Sequence, residues 1–401
     1  MKYNFDIFHD RRNTASFKWD TVGGDDLLPL WVADMDFEVA PVIKEAVVRR
    51  AQHAIFGYTH VPDSYYLAIT DWYQRRYGWT LQPEWILPIT AVVPALSCIV
   101  HALVMPGDQV LLCTPVYNCF FSSVRNMGAQ VCESPLVVNP KTGKYEVNWS
   151  DFEAKCADEK TVAFILCNPH NPGGRVWTPD ELRRMGEICQ RHHVTVIADE
   201  IHNGLIMPGY TYTPFASLSG RFEATCVTCL SPSKAFNIAG LRNAFIVCRD
   251  PALRRRIDRA VNIHEACDLN PFGVDAVTAA LTPEGEEWLN ELNLYLDANR
   301  LYLHDFFSRL VIADCRFRPM PLEGTYLAWV DCSQLLRKAG LTCQQLNDLL
   351  LNEVHVQFNA GTMYGAAGEG YLRINFACPR TLLEQALQRT EQCLHQHFDK
   401  L

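Results

Sequence analysis

Four short apolar runs, rich in β-branched residues, constrain the fold of this chain more than any other feature. They lie at 110–113, 161–166, 194–198 and 244–248. They are apolar almost throughout, which is typical of strands covered on both faces. Between the second and third runs, Thr178, Pro179 and two acidic residues mark the start of a helix. Strand, helix and strand at this spacing predict an α/β fold with a mostly parallel central sheet.

The pattern changes after about residue 283. A helical pattern over 284–310 precedes three strand-like runs, at 325–330, 354–358 and 371–376. Because 401 residues are too many for one ordinary hydrophobic core, we expect two domains. The sequence predicts a large domain over 45–283, built on the mostly parallel sheet, and a smaller α+β domain formed by 1–44 and 284–401.

The charge and the hydrophobic pattern exclude some classes of partner. The formal net charge of −9 argues against a nucleic-acid backbone or an anionic membrane as the main partner. No stretch approaches the roughly 18 uninterrupted apolar residues of a membrane span. The first 20 residues contain no apolar core flanked by positive charge, so we expect no signal peptide and a cytoplasmic protein.

The sixteen cysteines are scattered along the chain, and several lie inside apolar runs. A cysteine in such a run behaves as a small buried hydrophobe. Cys226 and Cys229 spell a CxxC motif, but it lies in a β-like apolar run and no second CxxC accompanies it. We therefore interpret the cysteines as reduced core residues of a cytosolic protein, and we expect neither disulfides nor a metal site.

Lys234 follows directly on an apolar run and a Ser-Pro-Ser turn. An unpaired ammonium group at the end of a buried strand is costly, and desolvation and nearby cations lower the pKa of such a group. Lysines with a lowered pKa form Schiff bases with carbonyl compounds. Ser231, Ser233 and Arg242 fit a cradle for a phosphate group in the same loop. The motif suits equally well a lysine at the sheet edge that reaches solvent.

Three further polar groups end or interrupt apolar runs. Asp199 ends a strand-like run, where carboxylates of open α/β sheets meet ligands, and it suits a protonated pyridine nitrogen. An N-cap for a following helix is the simpler explanation of this residue alone. Asn171 lies in a loop dense in turn residues and is able to donate to a ligand oxygen, although most such loops are only turns. Arg373 suits a substrate carboxylate bidentately, and a structural salt bridge explains it as well.

In this order along the chain, these residues resemble the fold-type I pyridoxal 5'-phosphate (PLP) enzymes of the aspartate aminotransferase superfamily. The resemblance covers essentially the whole chain and rests on Asn171-Pro172-Gly173-Gly174, Asp199, Ser231-Pro232-Ser233-Lys234, Arg242 and Arg373. Four strings resemble more narrowly the cystathionine β-lyase and cystalysin-like C–S lyase branch. They are the segments at 30–37, 56–59, 114–117 and 199–202.

The resemblance implies a role for each of these positions. Lys234 would hold the cofactor as a Schiff base and would be catalytic together with Tyr117 and Tyr58. The other residues that would bind PLP are Ala91, Val92, Tyr117, Asn171, Asp199, His202, Ser231, Ser233, Arg242 and Tyr58. Arg373, Ala33 and Asn171 would bind the amino-acid substrate. Because Tyr58 would reach the cofactor of the neighbouring subunit, the resemblance also implies a homodimer with active sites at the subunit interface.

The activity implied by the resemblance is that of a PLP-dependent C–S β-lyase. Such an enzyme cleaves L-cystathionine or a related cysteine S-conjugate to a thiol, pyruvate and ammonia. Two alternatives stay open. An aminotransferase uses the same residues, and its reaction diverges only after the Cα proton has been removed. The branch also includes a lyase that represses the bacterial maltose system, so a lyase with an additional regulatory protein contact is the second alternative.

Overall fold

The computed structural model describes residues 2–401, which form fourteen α-helices and seventeen strands. The helices are α1 Phe17–Asp20, α2 Pro41–His53, α3 Asp63–Tyr77, α4 Val92–Leu103, α5 Asn118–Asn126, α6 Trp149–Cys156, α7 Pro179–Arg191, α8 Gly220–Thr225, α9 Pro251–Ile263, α10 Pro271–Ala280, α11 Pro283–Arg309, α12 Ser333–Ala339, α13 Cys343–Val354 and α14 Arg380–Phe398. The strands are β1 Leu28–Pro29, β2 Ile86–Ile89, β3 Gln109–Thr114, β4 Gln130–Pro135, β5 Val137–Val138, β6 Tyr145–Glu146, β7 Thr161–Cys167, β8 Thr195–Asp199, β9 Val227–Leu230, β10 Ala244–Val247, β11 Val311–Ile312, β12 Cys315–Arg316, β13 Arg318–Pro319, β14 Leu327–Asp331, β15 Val356–Gln357, β16 Asn359–Ala360 and β17 Tyr371–Asn375.

A seven-stranded sheet in the order β2-β10-β9-β8-β7-β3-β4 forms the centre of the molecule. Strands β9, β8, β7, β3 and β4 pair in parallel, whereas β10 is antiparallel to both of its neighbours. The four apolar runs of the sequence correspond to β3, β7, β8 and β10, and apolar residues pack on both faces of these strands. The predicted α/β class with a mostly parallel sheet is therefore confirmed.

Helix α7 covers this sheet and begins where the sequence predicts. The hydroxyl of Thr178 accepts a hydrogen bond from the backbone of Glu181 at 3.2 Å, and the Glu181 carboxylate accepts one from the backbone of Thr178 at 2.9 Å. This reciprocal capping satisfies two of the amides that a helix start leaves free. The apolar face of α7, including Leu182 and Ile188, is buried.

A smaller, fully antiparallel sheet in the order β13-β14-β17-β16 lies in the C-terminal part of the chain. The long helix predicted over 284–310 corresponds to α11. Of the strand-like run predicted at 354–358, only Val356–Gln357 forms a strand, β15, which pairs with β1 near the N-terminus, whereas Val354 ends helix α13. The strand that joins the smaller sheet, β16, begins one residue after the predicted run and pairs with β17. The N-terminal segment lies beside this sheet, since the backbone of Asn375 donates to the carbonyl of Leu30 at 2.9 Å. The domain boundaries stay a prediction.

All sixteen cysteines are free, and fourteen of them are buried. Burial raises the pKa of the thiols of Cys226 and Cys229, so the pair behaves as part of the core. None of the helices within residues 2–401 is both long and apolar enough to cross a membrane.

Candidate active site

Four parallel strands end along one edge of the large sheet, and predicted site residues follow each of them. Tyr117 comes three residues after β3, and Asn171 comes four residues after β7. Asp199 is the last residue of β8, and Lys234 comes four residues after β9. Because the carboxyl ends of parallel strands meet at one edge, these side chains converge although they are far apart in the sequence.

A cavity of about 320 Å³ opens at this edge, and eleven of the thirteen residues predicted for the site line it. Those predicted to bind the cofactor are Ala91, Val92, Tyr117, Asn171, Asp199, His202, Ser233, Lys234 and Arg242. Those predicted to bind the substrate are Ala33, Asn171 and Arg373. Asp199 is the only acidic side chain that lines the cavity in the described part of the chain.

Lys234 is half-buried, and its ammonium group donates a hydrogen bond to the carbonyl oxygen of Ala33 at 2.7 Å. Burial lowers the pKa of Lys234, and the positive charge of Arg373 lowers it further, while Asp34 and Asp199 oppose the shift. A lysine with a lowered pKa has a larger neutral fraction near neutral pH, and the neutral amine is the form that attacks carbonyl groups and accepts a proton. The lysine thus faces the cavity and is not a solvated residue at the sheet edge.

Asp199 is buried, and its carboxylate accepts one hydrogen bond, from the backbone of Ile201 at 3.1 Å. No other donor within residues 2–401 reaches this carboxylate, and residues 201–204 form a turn rather than a helix. Burial raises the pKa of Asp199 to about 7, against the effects of Ile201 and Lys234. A buried carboxyl that faces a cavity in this way suits a cationic or N–H group of a ligand better than a helix cap.

His202 and Tyr117 line the same cavity. Burial lowers the pKa of His202 to about 3, so the imidazole is neutral at physiological pH. Its Nδ1 atom is buried and has no hydrogen-bond partner in the described residues. Burial raises the pKa of Tyr117, so the phenol stays protonated and is able to donate. Both rings therefore offer neutral polar groups and flat apolar faces to a ligand.

The start of α4 forms a second polar wall of the cavity. Ala91 precedes the helix in an extended conformation, and no side chain caps its first amides. Ser233 and Arg242 line the cavity together with Ala91 and Val92. Free amides at a helix N-terminus, a hydroxyl group and a guanidinium group together favour a phosphate group.

Arg373 is buried in the middle of β17 and forms no salt bridge with any carboxylate of residues 2–401. Its Nη1 donates to the side-chain oxygen of Asn171 at 3.2 Å, and its Nη2 donates to the carbonyl of Trp31 at 2.7 Å. Its Nε is buried without an acceptor. The guanidinium group lies over the ring of Tyr364, 4.8 Å from the centroid. The partners of Arg373 are thus neutral, and its positive charge is available to an anionic ligand.

Two predicted residues do not line the cavity. The hydroxyl of Ser231 donates to the carbonyl of Asn243 at 2.7 Å and accepts from the backbone of Ser233 at 3.1 Å, so it braces the turn that carries Lys234. Tyr58 lies in the irregular segment between α2 and α3 and is 99% exposed. Its predicted contact with a neighbouring subunit stays a prediction.

Sequence reasoning missed several residues of the site. Trp31, Asn359 and Tyr364 line the cavity beside Arg373. Tyr326 is fully buried and donates to the carbonyl of Ala33 at 2.9 Å, next to the hydrogen bond from Lys234. Trp31 belongs to the segment at 30–37 that resembles the C–S lyases, so its place in the site could have been predicted. No local pattern singles out Tyr326.

This sheet, with a cavity at the carboxyl ends of its strands and a lysine and an aspartate facing into it, defines an α/β enzyme of the aminotransferase fold type I. A family-level match agrees with the fold. The chain belongs to the family described as aminotransferase class I and II, whose model matches residues 25–389.

Named relatives and solved structures extend this match over nearly the whole chain. The chain is 40% identical to cystathionine beta-lyase PatB of Bacillus subtilis over 98% of this chain and 100% of that protein. Among solved structures it is similar to cystalysin from Treponema denticola, which contains a pyridoxal 5'-phosphate cofactor, with a TM-score of 0.93 and 30% identity over 99% of this chain and 100% of that one. It is also similar to the PLP-bound C–S lyase from Staphylococcus hominis, with a TM-score of 0.90 and 33% identity over 98% of both chains.

Proposed function

We propose that the protein is a PLP-dependent C–S β-lyase that cleaves L-cystathionine or a related cysteine S-conjugate to a thiol, pyruvate and ammonia. One observation carries the proposal. A lysine of lowered pKa, a buried aspartate and an arginine without an anionic partner face one cavity, in a chain that is similar throughout to named C–S lyases. The cofactor is PLP.

The unsatisfied groups of the cavity fit this cofactor. Asp199 would hold its pyridine nitrogen, because this carboxylate has a single donor among residues 2–401. The amides at the start of α4, Ser233 and Arg242 would hold its phosphate group. Tyr117 would cover the face of the ring, and Asn171 and His202 would bind the phenolic oxygen. When bound, PLP supplies an electron sink for negative charge at the α-carbon of the substrate.

Arg373 would orient the substrate by binding its α-carboxylate. Within the described part of the chain the buried Nε atom has no acceptor and the two Nη atoms donate only to neutral groups, so the guanidinium group gains from an anionic partner. A carboxylate bound there leaves the rest of the amino acid inside the cavity, where Lys234 and Tyr117 face it.

Lys234 would accept the proton from the α-carbon. Burial and the Arg373 charge favour the neutral amine, which is the form that accepts a proton. Tyr117 would donate a proton to the leaving sulfur, because its raised pKa keeps the phenol protonated. Removal of the proton from Cα and departure of the thiol from Cβ leave an unsaturated product, which hydrolyses to pyruvate and ammonia.

The active form would be a homodimer in which Tyr58 of the partner subunit completes each site. Tyr58 is almost fully exposed, and its neighbours Ile55 and Phe56 are also exposed apolar residues. Such a patch on one chain favours burial against another surface. Co-expression of Tyr58→Ala chains with Lys234→Ala chains tests this arrangement, because a mixed dimer regains one intact site. Failure of the mixture to recover activity would reject a shared site.

The protein would act in the cytoplasm, because sixteen free cysteines suit a reducing compartment. The activity is tested with purified protein supplemented with PLP. We expect a visible absorbance band of lysine-bound cofactor, and release of pyruvate and thiol from L-cystathionine. Lys234→Ala should lose both signals, whereas the exposed control Lys141→Ala should keep both. A band with amino transfer to a keto acid, but without pyruvate, would move the function to an aminotransferase.

A further inference from the structure

We propose that Phe17 and Trp31 form an aromatic wall at the mouth of the active-site cavity, and that this wall selects cysteine S-conjugates whose sulfur carries an apolar, preferably aromatic, substituent. The proposal rests on the C–S lyase function and specifies its substrate class. Cystathionine, whose sulfur carries a second zwitterionic amino-acid group, would be the poorer substrate.

The two rings of the aromatic wall pack on each other and both line the cavity. Their centroids are 5.3 Å apart and their planes are inclined by 42°. Phe17 is nevertheless 67% exposed, which is unusual for a phenylalanine that belongs to a packed pair. A large apolar surface that faces both solvent and a ligand cavity is available to a substituent that enters the cavity.

Phe17 belongs to the N-terminal arm, residues 2–40, which precedes α2 and is held in place by a buried ion pair. Lys18 is 1% exposed, and its ammonium group donates to the carboxylate of Asp36 at 2.7 Å. The indole N–H of Trp19 donates to the same carboxylate at 2.9 Å. Since these two residues of α1 point into the protein, Phe17 is left on the outer side of the same short helix. The position of the Phe17 ring is therefore fixed by the buried contacts of the two residues that follow it.

Trp31 connects the aromatic wall to the residue proposed to bind the substrate carboxylate. Its indole N–H donates to the carbonyl of Lys18 at 3.0 Å, which joins it to α1. Its own carbonyl accepts from Arg373 at 2.7 Å and from the side chain of Asn359 at 2.9 Å. Arg373 is thus hydrogen-bonded to the backbone of a residue of the aromatic wall, and both line the cavity that an amino acid held at Arg373 would occupy.

The charged side chains that line the cavity include none that is free to pair with a second zwitterionic group, within residues 2–401. The charged side chains that line it in residues 2–401 are Asp199, Lys234, Arg242 and Arg373. Each already has a role at the cofactor or at the α-carboxylate. A distal ammonium and carboxylate would therefore lose water against the aromatic wall without gaining a free charged partner among residues 2–401. Met363 also lines the cavity and is half-exposed, and its flexible thioether side chain adapts to apolar groups of different shapes.

The first test compares S-benzyl-L-cysteine with L-cystathionine as substrates of the PLP-loaded enzyme. We expect a higher kcat/KM for S-benzyl-L-cysteine in the wild type. In Phe17→Ala this value should fall by about 5-fold, the effect of losing one aromatic pair, while the value for cystathionine changes less. Phe17→Leu should recover part of the loss. Phe8→Ala is the matched control, because Phe8 is a half-exposed phenylalanine of the same arm that does not line the cavity.

A second measurement separates this proposal from the lyase function. Benzylthiopropanoate and methylthiopropanoate keep the carboxylate and the thioether but lack an amino group, so their binding does not depend on the lyase chemistry. Their inhibition or dissociation constants should differ in the wild type, and the difference should shrink in Phe17→Ala but not in Phe8→Ala. Equal binding of the two acids, equal losses for both substrates, or a wild-type preference for cystathionine would overturn the proposal. Absence of pyruvate from every conjugate, with the difference in binding intact, would reject the lyase function alone.

Discussion

Replacing Asp36 by asparagine removes the charge that holds the N-terminal arm against the protein. Its carboxylate accepts hydrogen bonds from Lys18 at 2.7 Å, from Arg11 at 2.8 Å and from Trp19 at 2.9 Å. The side chains of Asp36 and Lys18 are only 2% and 1% exposed. An asparagine of nearly the same shape keeps the packing but cannot neutralise the buried ammonium group.

The size of the effect follows from that burial. Breaking a buried ion pair by removing one partner costs about 3 to 5 kcal/mol, because the other charge stays buried without compensation. Asp34 lies 3.6 Å from the ammonium group and compensates part of the loss, so we expect a value near the lower end, about 3 kcal/mol. Asp10→Asn is the control, since Asp10 pairs with Arg12 at the surface and such pairs contribute less than about 1 kcal/mol.

The loss is measured by urea unfolding of the two variants at one protein concentration, together with hydrogen exchange of residues 14–36. Exchange in this segment should rise in Asp36→Asn and stay unchanged in Asp10→Asn. If the two variants lose the same free energy of unfolding, or if exchange in the arm does not change, the buried ion pair does not hold the arm and the reasoning fails.

Three further predictions concern single side chains. In cofactor-free protein, the raised pKa of Asp199 means that this carboxyl binds a proton more tightly in the folded state than in the unfolded state. The free energy of unfolding should therefore fall as pH rises from about 4 to about 7, by at most about 4 kcal/mol. Thermal unfolding of Asp199→Asn should lack this part of the pH dependence, and identical pH profiles of variant and wild type would contradict the prediction. Arg373→Lys loses the planar fork, so KM for the amino acid should rise about 10-fold or more with a smaller change in kcat, as steady-state kinetics will measure. Glu323→Gln should lower the free energy of unfolding by about 3 kcal/mol, because this buried carboxylate accepts from Arg175 at 3.0 Å and pairs with Lys144 at 2.7 Å; unchanged urea midpoints would argue against it.

The sequence predicts those parts of the fold and site that depend on local pattern. The helix start at Thr178 could be predicted because its capping box involves only four consecutive residues, 178–181. The positions of Asp199 and Lys234 at one edge of the sheet could be predicted, because Asp199 ends an apolar strand and Lys234 comes shortly after another. The antiparallel direction of β10 could not be predicted, because a strand that is buried on both faces has the same composition in either direction. The pairing of β15 with the distant β1, instead of with the strands of the smaller sheet, is encoded by no local pattern.

The hydrogen bonds within the site could not be predicted from the sequence. Tyr326 comes within hydrogen-bond distance of Ala33 across 293 residues, and nothing near Tyr326 in the sequence indicates this contact. Ser231 was predicted to bind the cofactor because its hydroxyl lies near Lys234 in the sequence. In the structure this hydroxyl instead forms hydrogen bonds with the backbone of Asn243 and of Ser233.

The carbonyl oxygen of Ala33 has two donors, Lys234 at 2.7 Å and Tyr326 at 2.9 Å. A carbonyl inside a protein that loses its only donor is penalised by the full cost of its lost hydration. Here the hydroxyl of Tyr326 would still donate to this oxygen if the amine of Lys234 moved to another partner, so the oxygen would keep one hydrogen bond. In the proposed reaction Lys234 would release this carbonyl and return to it in each turnover, and the hydrogen bond from Tyr326 would keep the buried acceptor from losing both of its donors.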